Sequence, residues 1–269
     1  IYAEGALRLT NNKTTQNKIP IYNYNVANEP MLRDSGYGTV TYVYDNRYKQ
    51  NYYAVNVYTD YSHSFGKHNG KVLLGLNYER YNQDNMWASG TDLTTEDKPF
   101  LSQTQSNKKN GDGYWNRATA GYFGRFNYDY DGKYLAEFNI RYDGSSRFGT
   151  NNKWGFFPSV GLGWRISEET FLANNKVITN LKLRGSYGIT GNQEIGNYKS
   201  LAQLKSKNYI YNDALMQGFY ETIGNPDLKW ERTKQFDLGF DLSLWNRIHL
   251  NVDYYSRRTS DLLYDVPIP

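Results

Sequence analysis

Six aromatic side chains, Trp87, Trp115, Tyr209, Tyr211, Phe219 and Tyr220, lie in stretches rich in amides and hydroxyls. That combination suits carbohydrate. A sugar ring offers an apolar C–H face to stack on an aromatic, and its hydroxyls meet amides and carboxylates. The plainer reading is that these rings pack loops together or belong to a membrane interface. Catalysis finds less support. The only histidines are His63, His68 and His249, two of them in or beside a hairpin turn, and none has a His-x-x-x-His metal spacing. Asp143-Gly144-Ser145-Ser146 has the composition of a nucleophile or phosphate loop. It lacks the strand, Gly-rich loop and helix context and reads as a loop turn. Glu168 and Glu169 are adjacent, and adjacent residues of a helical turn do not face one another, so the pair reads as a solvated helix start. With no cysteine, a disulfide scaffold, a Cys-ligated metal and a thiol nucleophile are all excluded. The expectation is a non-enzyme with no cofactor and no metal.

The elements that carry these residues come from a chain of unusual composition. Its 269 residues include 27 Tyr, 12 Phe and 6 Trp, yet its mean hydropathy is −0.80. A soluble globular protein that polar does not normally hold so many large rings. The formal charge of +4 is too small to imply nucleic acid. No segment approaches the roughly 18 uncharged apolar residues of a spanning helix. The longest such stretch, Trp154 to Trp164, is interrupted by Pro158. Glu4 and Arg8 keep the first residues from reading as a signal peptide.

Period two dominates. Tyr122, Gly124, Phe126, Tyr128 and Tyr130 share one face of a strand, with Phe123, Arg125, Asn127 and Asp129 on the other. After Asp131-Gly132, a pair that tolerates the positive φ of a two-residue hairpin turn, Tyr134, Ala136, Phe138, Ile140 and Tyr142 alternate with Lys133, Leu135, Glu137, Asn139 and Arg141. A second hairpin runs from Gln235 to Tyr254 around Trp245-Asn246. A third pairs Tyr53–Tyr61 with Val72–Tyr78 through a turn at His68-Asn69-Gly70. Two further strands cover Val160–Ile166 and Leu181–Ile189. Between them Ser167 is placed to cap a short helical turn. Weaker strands lie near 1–9 and 38–45, giving about ten in all and little helix.

A soluble β-sandwich satisfies this alternation, but three details favour a membrane barrel. The strands run to about ten residues, the length a tilted strand needs to cross a bilayer. Tyr128, Tyr130, Tyr142, Trp164, Trp245, Tyr254 and Tyr255 crowd the strand ends, where interfacial aromatics sit. Tight turns at 67–70, 131–132 and 245–246 alternate with long polar connections at 82–114 and 191–229. In such a barrel Arg125, Asn127, Glu137, Asn139, Arg141, Arg165, Lys182, Arg184, Asp237, Asp241, Asn251 and Asp253 point into the lumen. Their mixed charges allow either a hydrating ladder of ion pairs or contact with a plug or passing solute.

From about residue 115 onward, ordered blocks resemble the SusC/RagA-type TonB-dependent outer-membrane transporters. They are Gly121-Tyr122-Phe123-Gly124-Arg125, Asp131-Gly132-Lys133-Tyr134, Arg141-Tyr142-Asp143-Gly144-Ser145-Ser146-Arg147-Phe148-Gly149 and Trp154-Gly155-Phe156-Phe157-Pro158-Ser159. Gly163-Trp164-Arg165-Ile166-Ser167-Glu168-Glu169, Leu181-Lys182-Leu183-Arg184-Gly185-Ser186-Tyr187-Gly188, Thr190-Gly191-Asn192 and Asn225-Pro226-Asp227-Leu228-Lys229-Trp230-Glu231 follow. Residues 50–80 are compatible, and 1–45 carry little that can be placed.

The resemblance implies an all-β, multi-pass barrel of about 22 strands in the outer membrane of a Gram-negative bacterium. It implies an N-terminal plug, a TonB partner, a SusD-like surface lipoprotein, surrounding outer-membrane lipid, and import of oligosaccharides or, in some members, peptides. Residues 1–269 then stand for part of that barrel. No plug, no TonB box and no closing C-terminal strand is legible, since the chain stops at Val266-Pro267-Ile268-Pro269. The stretch 10–37 falls at what should be a short-turn rim, so extra strands or omitted residues are expected there. A passive porin, a structural barrel or, more distantly, a soluble carbohydrate-binding sandwich are the alternatives.

Overall fold

The computed structural model describes residues 1–19, 22–24, 30–32, 40–172, 175–212 and 214–264. Its strands are β1 (Tyr2–Lys18), β2 (Tyr22–Tyr24), β3 (Pro30–Leu32), β4 (Tyr42–Phe65), β5 (His68–Leu93), β6 (Thr104–Tyr130) and β7 (Tyr134–Ser145). Then come β8 (Trp154–Arg165), β9 (Ile178–Asn192), β10 (Gln203–Tyr211), β11 (Ala214–Thr222), β12 (Glu231–Leu244) and β13 (Ile248–Ser260). Nine of them form one sheet in the order β1-β4-β5-β6-β7-β8-β9-β12-β13, with β1 and β13 at its edges, while β10 pairs with β11 and β2 with β3. From β6 to β13 every ladder is antiparallel. By internal contacts the chain divides into one unit of Ile1–Gly5, Ala54–Glu79 and Arg117–Pro269 and a second of Ala6–Tyr53 and Arg80–Asn116.

Several boundaries differ from the sequence pattern. The weak strand at 1–9 continues to Lys18, and those at 38–45 and 53–61 are one strand, β4. Merging them removes one turn from the count, so the connection from β1 to β4 belongs with the long connections. All of 10–18 is strand; within 20–37 only β2 and β3 are described. The expected loop 82–114 is mostly the upper parts of β5 and β6, leaving only residues 94–103 between them. Alternation missed these parts because both of their faces are polar, so ladder pairing alone specifies the strand. Val266-Pro267-Ile268-Pro269 lies outside the described residues.

In the first unit the register keeps one parity apolar across six strands. Phe138 faces Phe126 on β6 and Val160 on β8, Val160 faces Tyr187 on β9, and Phe236 faces Tyr187. Leu238, Phe240 and Leu242 then oppose Tyr254, Val252 and Leu250 on β13. Among the described residues nothing covers this face. Phe138 is 47%, Ile140 50% and Leu162 59% exposed, and the buried hydrophobics among the described residues are Val43, Ala54, Phe148, Phe157 and Trp230. A sandwich would bury such a face against a second sheet. Aromatics rim it at both ends. Tyr134 stacks on Trp164 near the tight turns, and Trp154 stacks on Tyr142 and Tyr122 near the long connections. Trp154 and Trp164 stand about ten residues apart on β8, or about 33 Å along a strand and about 25 Å in height at a tilt of about 40°, the height of a bilayer's apolar band.

The tight turns form a connected lattice. Asp131 (φ 56°) and Gly132 (φ 65°) both adopt the left-handed conformation a hairpin turn demands, and the Lys133 N–H donates to the Tyr130 carbonyl at 2.9 Å. The β4–β5 turn falls at Gly66-Lys67 rather than 68–70, because Gly66 supplies the positive φ (57°) and strand pairing resumes at His68. Lys67 pairs with Asp131 at 2.8 Å. Glu169 accepts from the Tyr134 hydroxyl (2.6 Å) and the Trp164 indole (3.0 Å), while Glu168 takes Arg165 at 2.7 Å. Glu168 and Glu169 are thus tied to separate partners, Glu168 remaining exposed while Glu169 is half-buried. Ser167 sits inside the 3-10 turn Ile166–Glu168, whose N-cap is Arg165, and its buried hydroxyl caps nothing.

At the opposite end Phe148, Phe157 and Trp230 make a small core, with ring centroids 5.1 Å and 5.3 Å from Trp230. The Trp230 indole donates to the Lys153 carbonyl at 2.9 Å. Three of the sequence blocks therefore meet here. Asp143-Gly144-Ser145, expected as a loop turn, is instead the end of β7, paired with Gly121, Ala120 and Thr119 on β6, and the turn begins only at Ser146. Phe148→Ala should destabilise the fold by about 3–5 kcal/mol, read as a lowered denaturation midpoint in detergent, with hydrogen exchange rising first at 146–153 and 225–230.

The Lys67 hydrogen bond holds the Asp131 carboxyl below the usual range, and hydrogen bonds from Tyr134 and then Trp164 do the same for Glu169. A depressed folded pKa gives stability that is full above the ordinary carboxylate value and is lost as pH falls through the folded one. The difference in unfolding midpoint between the native protein and Glu169→Gln, present at pH 7, should therefore close below about pH 4.

Candidate functional site: the polar face of the sheet

The opposite parity of β6–β13 gathers the polar residues. Arg125 lies across from Asn139, Asn127 from Glu137, Asp237 from Ser186, and Asp241 from both Lys182 and Asn251. Asp253 shares this face through its pairing with Gly239, and Arg165 through its pairing with Lys182. All twelve residues expected to line a lumen thus stand on one face of one sheet.

They form two networks. In the first, the Arg125 Nε donates to Asn139 Oδ1 at 2.7 Å, and Asn139 and Asn127 each donate to Glu137 at 2.7 Å. Nearby, Arg141 grips Asp143 through two bonds of 3.0 and 2.8 Å and lies 5.7 Å from the Phe123 ring centroid. In the second, Arg184 reaches Asp241 at 3.2 Å and Asp253 at 2.6 Å. Ser186 and Gln235 both donate to Asp237, at 3.0 and 2.8 Å. Arg165 belongs to the turn lattice instead, bonding the Gly132 carbonyl at 3.1 Å. Among the described residues Lys182 and Asn251 carry no side-chain hydrogen bond or ion pair.

Gly239 makes the second network possible. A Cβ there would fall 2.3 Å from Asp253 Oδ1 and 3.0 Å from the Arg184 guanidinium carbon. With no side chain at 239, Arg184 lies across β12 and serves carboxylates on two strands. A glycine inside the otherwise regular strand Phe236–Leu244 is the sequence signal for such a close approach. Sequence reasoning passed over it, and over Ser186, Gln235 and Asp143. Glycines 161, 163 and 239 also help to leave an open groove of about 560 Å³, walled by Asn127, Glu137, Lys182, Arg184 and Asp237. Its chemistry is that of a hydrated wall with internally balanced charge and one uncommitted cation, Lys182.

The six aromatics divide. Trp87 and Trp115 are on β5 and β6, not in loops, and both are half-buried. Trp115 stacks on Tyr81 at 4.9 Å and Trp87 on Tyr44 at 6.1 Å, so both take part in packing within the second unit. Tyr209, Tyr211, Phe219 and Tyr220 form part of the β10–β11 hairpin in the long connection after β9. Register puts Tyr209, Tyr211 and Tyr220 on one face, beside Met216, and Phe219 on the other with Leu204, Ile210 and Leu215. All four expected aromatics of the hairpin are exposed. The histidines stay apart: His68 Nδ1 lies 2.7 Å from the Tyr128 hydroxyl, His249 Nδ1 lies 2.9 Å from Ser243 Oγ, and His63 stacks with Tyr61.

Residues 3–269 match the family model described as TonB dependent receptor-like, beta-barrel. TonB-dependent receptor P3 of Formosa agariphila is 38% identical over 216 residues, covering 79% of this chain and 22% of that protein. TonB-dependent receptor SusC of Bacteroides thetaiotaomicron is 36% identical over 233 residues, 83% of this chain and 22% of SusC. Among solved structures, the RagAB peptide transporter superposes with a TM-score of 0.85 at 32% identity, covering 99% of this chain and 29% of that one. The chain thus spans about a fifth of the length of the curated relatives it matches. Its apolar face, its opposite polar face and its blocks of shared sequence agree with these matches: the chain belongs to the TonB-dependent receptor β-barrel family and is of the SusC/RagA type.

Proposed function

We propose that this chain is part of the wall of an outer-membrane importer that takes up oligosaccharides by TonB-dependent transport, together with a SusD-like surface lipoprotein. The apolar face sits in lipid. The polar face lines the lumen, and its self-paired charges offer a hydrated path that does not hold a neutral solute by charge. Coupling to TonB and gating are assigned to a plug elsewhere in the polypeptide. The observation that carries the substrate class is the β10–β11 hairpin, whose exposed Tyr209, Tyr211 and Tyr220 share one face. Three rings on one strand-pair surface suit the stacking of successive sugar units. Trp87 and Trp115, committed to packing partners, are secondary to this shelf.

A peptide is the second reading, favoured by the 32% identity to a structure described as a peptide transporter. The test is binding by the full-length transporter with its lipoprotein, using mixed oligosaccharides and mixed peptides as separate probes. Tyr211→Ala with Tyr220→Ala should weaken oligosaccharide binding about tenfold or more and slow uptake to match. Unchanged oligosaccharide affinity contradicts the proposal, and loss of peptide binding alone selects the second reading.

A further inference from the structure

Lys234 on β12 stands directly opposite Arg258 on β13, and Arg232 stands opposite Ser260. These residues do not belong to the polar inner face. They share the parity of Phe236, Leu238 and Tyr254, the outward apolar face, whereas Thr233, Gln235 and Asp237 turn inward. Like charges directly opposite one another destabilise a strand pair, and among the described residues no carboxylate on this face relieves them. The row of Lys234 continues to Ile189 on β9, that of Arg232 to Gly191, and that of Phe236 to Tyr187 and Ser256. Glu231, the nearest carboxylate in sequence, accepts from Asn192 and from the Leu263 N–H. Arg232, Lys234 and Arg258 are all exposed, and among the described residues none carries an ion pair.

Height identifies what can neutralise them. Arg258 lies about ten residues above the start of β13, and Arg232 and Lys234 lie about ten to twelve residues above the Trp245-Asn246 turn. At about 3.3 Å per residue and a tilt of about 40° this is about 25–30 Å, at and just beyond the far edge of the apolar band. Below the cations Phe236, Leu238, Val252 and Tyr254 present exposed or half-exposed apolar surface. Ser256, opposite Phe236, adds a hydroxyl one row below Lys234 and Arg258, while the Ser260 hydroxyl donates to the Arg232 carbonyl. An anionic headgroup above and apolar chains below is the pattern of an amphiphile standing beside the wall. Phosphate suits the upper part best, since guanidinium groups bond it in a bidentate fashion and Lys supplies a further point charge.

We infer that Arg232, Lys234 and Arg258 form an outward-facing site for the phosphorylated headgroup of an outer-leaflet lipid, seated over Phe236 and Tyr254. This rests on the membrane embedding proposed above. The full-length transporter, reconstituted in phosphatidylcholine vesicles doped with phosphatidic acid, tests it by the phosphatidic acid that stays bound on extraction, counted by native mass spectrometry. The native protein should retain this lipid, Lys234→Gln with Arg258→Gln should lower its affinity about tenfold or more, and the inward-facing control Arg257→Gln should keep it. Equal retention by the double variant overturns the site. So does displacement of the lipid by millimolar inorganic phosphate, which would mark a free-phosphate site. Quenching of tryptophan fluorescence by brominated lipid, measured on the same vesicles, separates the two claims. Quenching without retention overturns the site alone, and absence of quenching overturns the embedding as well.

Discussion

An antiparallel ladder sends successive side chains to opposite faces, and in this chain six neighbouring strands keep the same choice of face without a break. Phe126, Phe138, Val160, Tyr187 and Phe236 make one continuous row, linked by register from β6 to β12. Nothing in the described chain packs over that row. Exposed apolar area on this scale is strongly unfavourable in water, at about 25 cal/mol per Å², and becomes neutral in hydrocarbon. The membrane is therefore the missing half of the fold. Backbone satisfaction points the same way, because paired strands leave no interior N–H or C=O for lipid to strand.

Once one parity is given to lipid, the other must be wet, and its charges have to be managed within the sheet. The chain does this by distributing carboxylates around shared cations. Arg184 crosses a glycine to reach Asp241 and Asp253, and Asn127 and Asn139 both serve Glu137. The ends are treated differently. The tight turns are bound by an ionic and aromatic lattice centred on Asp131 and Glu169, whereas the long connections are held by the rings of Phe148, Phe157 and Trp230. The β10–β11 hairpin beyond them is left exposed and aromatic.

Much of this was legible in the residues. The hairpins around Asp131-Gly132 and Trp245-Asn246 follow from strict alternation and turn chemistry, and the polar residues picked out by that alternation share one face of the sheet. What escaped was structure whose signal is not apolar periodicity. Residues 10–18 and most of 82–114 are polar on both faces, so they read as loops although ladder pairing makes them strands. That error also placed Trp87 and Trp115 in loops. Gly66 decided a turn that the amides at 68–70 had suggested. Arg232, Lys234 and Arg258 drew no notice because a lysine or arginine in a strand is read as wet until its row is known.

The central claim is that the two faces of the sheet meet different solvents, and since these 269 residues hold no cysteine, no thiol of this wall competes with an introduced one. Single cysteines introduced one at a time from Leu135 to Arg141 in the full-length protein, labelled and reconstituted in lipid, should respond with period two. Ala136→Cys, Phe138→Cys and Ile140→Cys should be quenched by a bilayer-confined agent, whereas Leu135→Cys, Glu137→Cys and Asn139→Cys should react with a water-soluble one. Uniform accessibility along the strand, or quenching of positions 137 and 139 by the bilayer agent, would contradict the account.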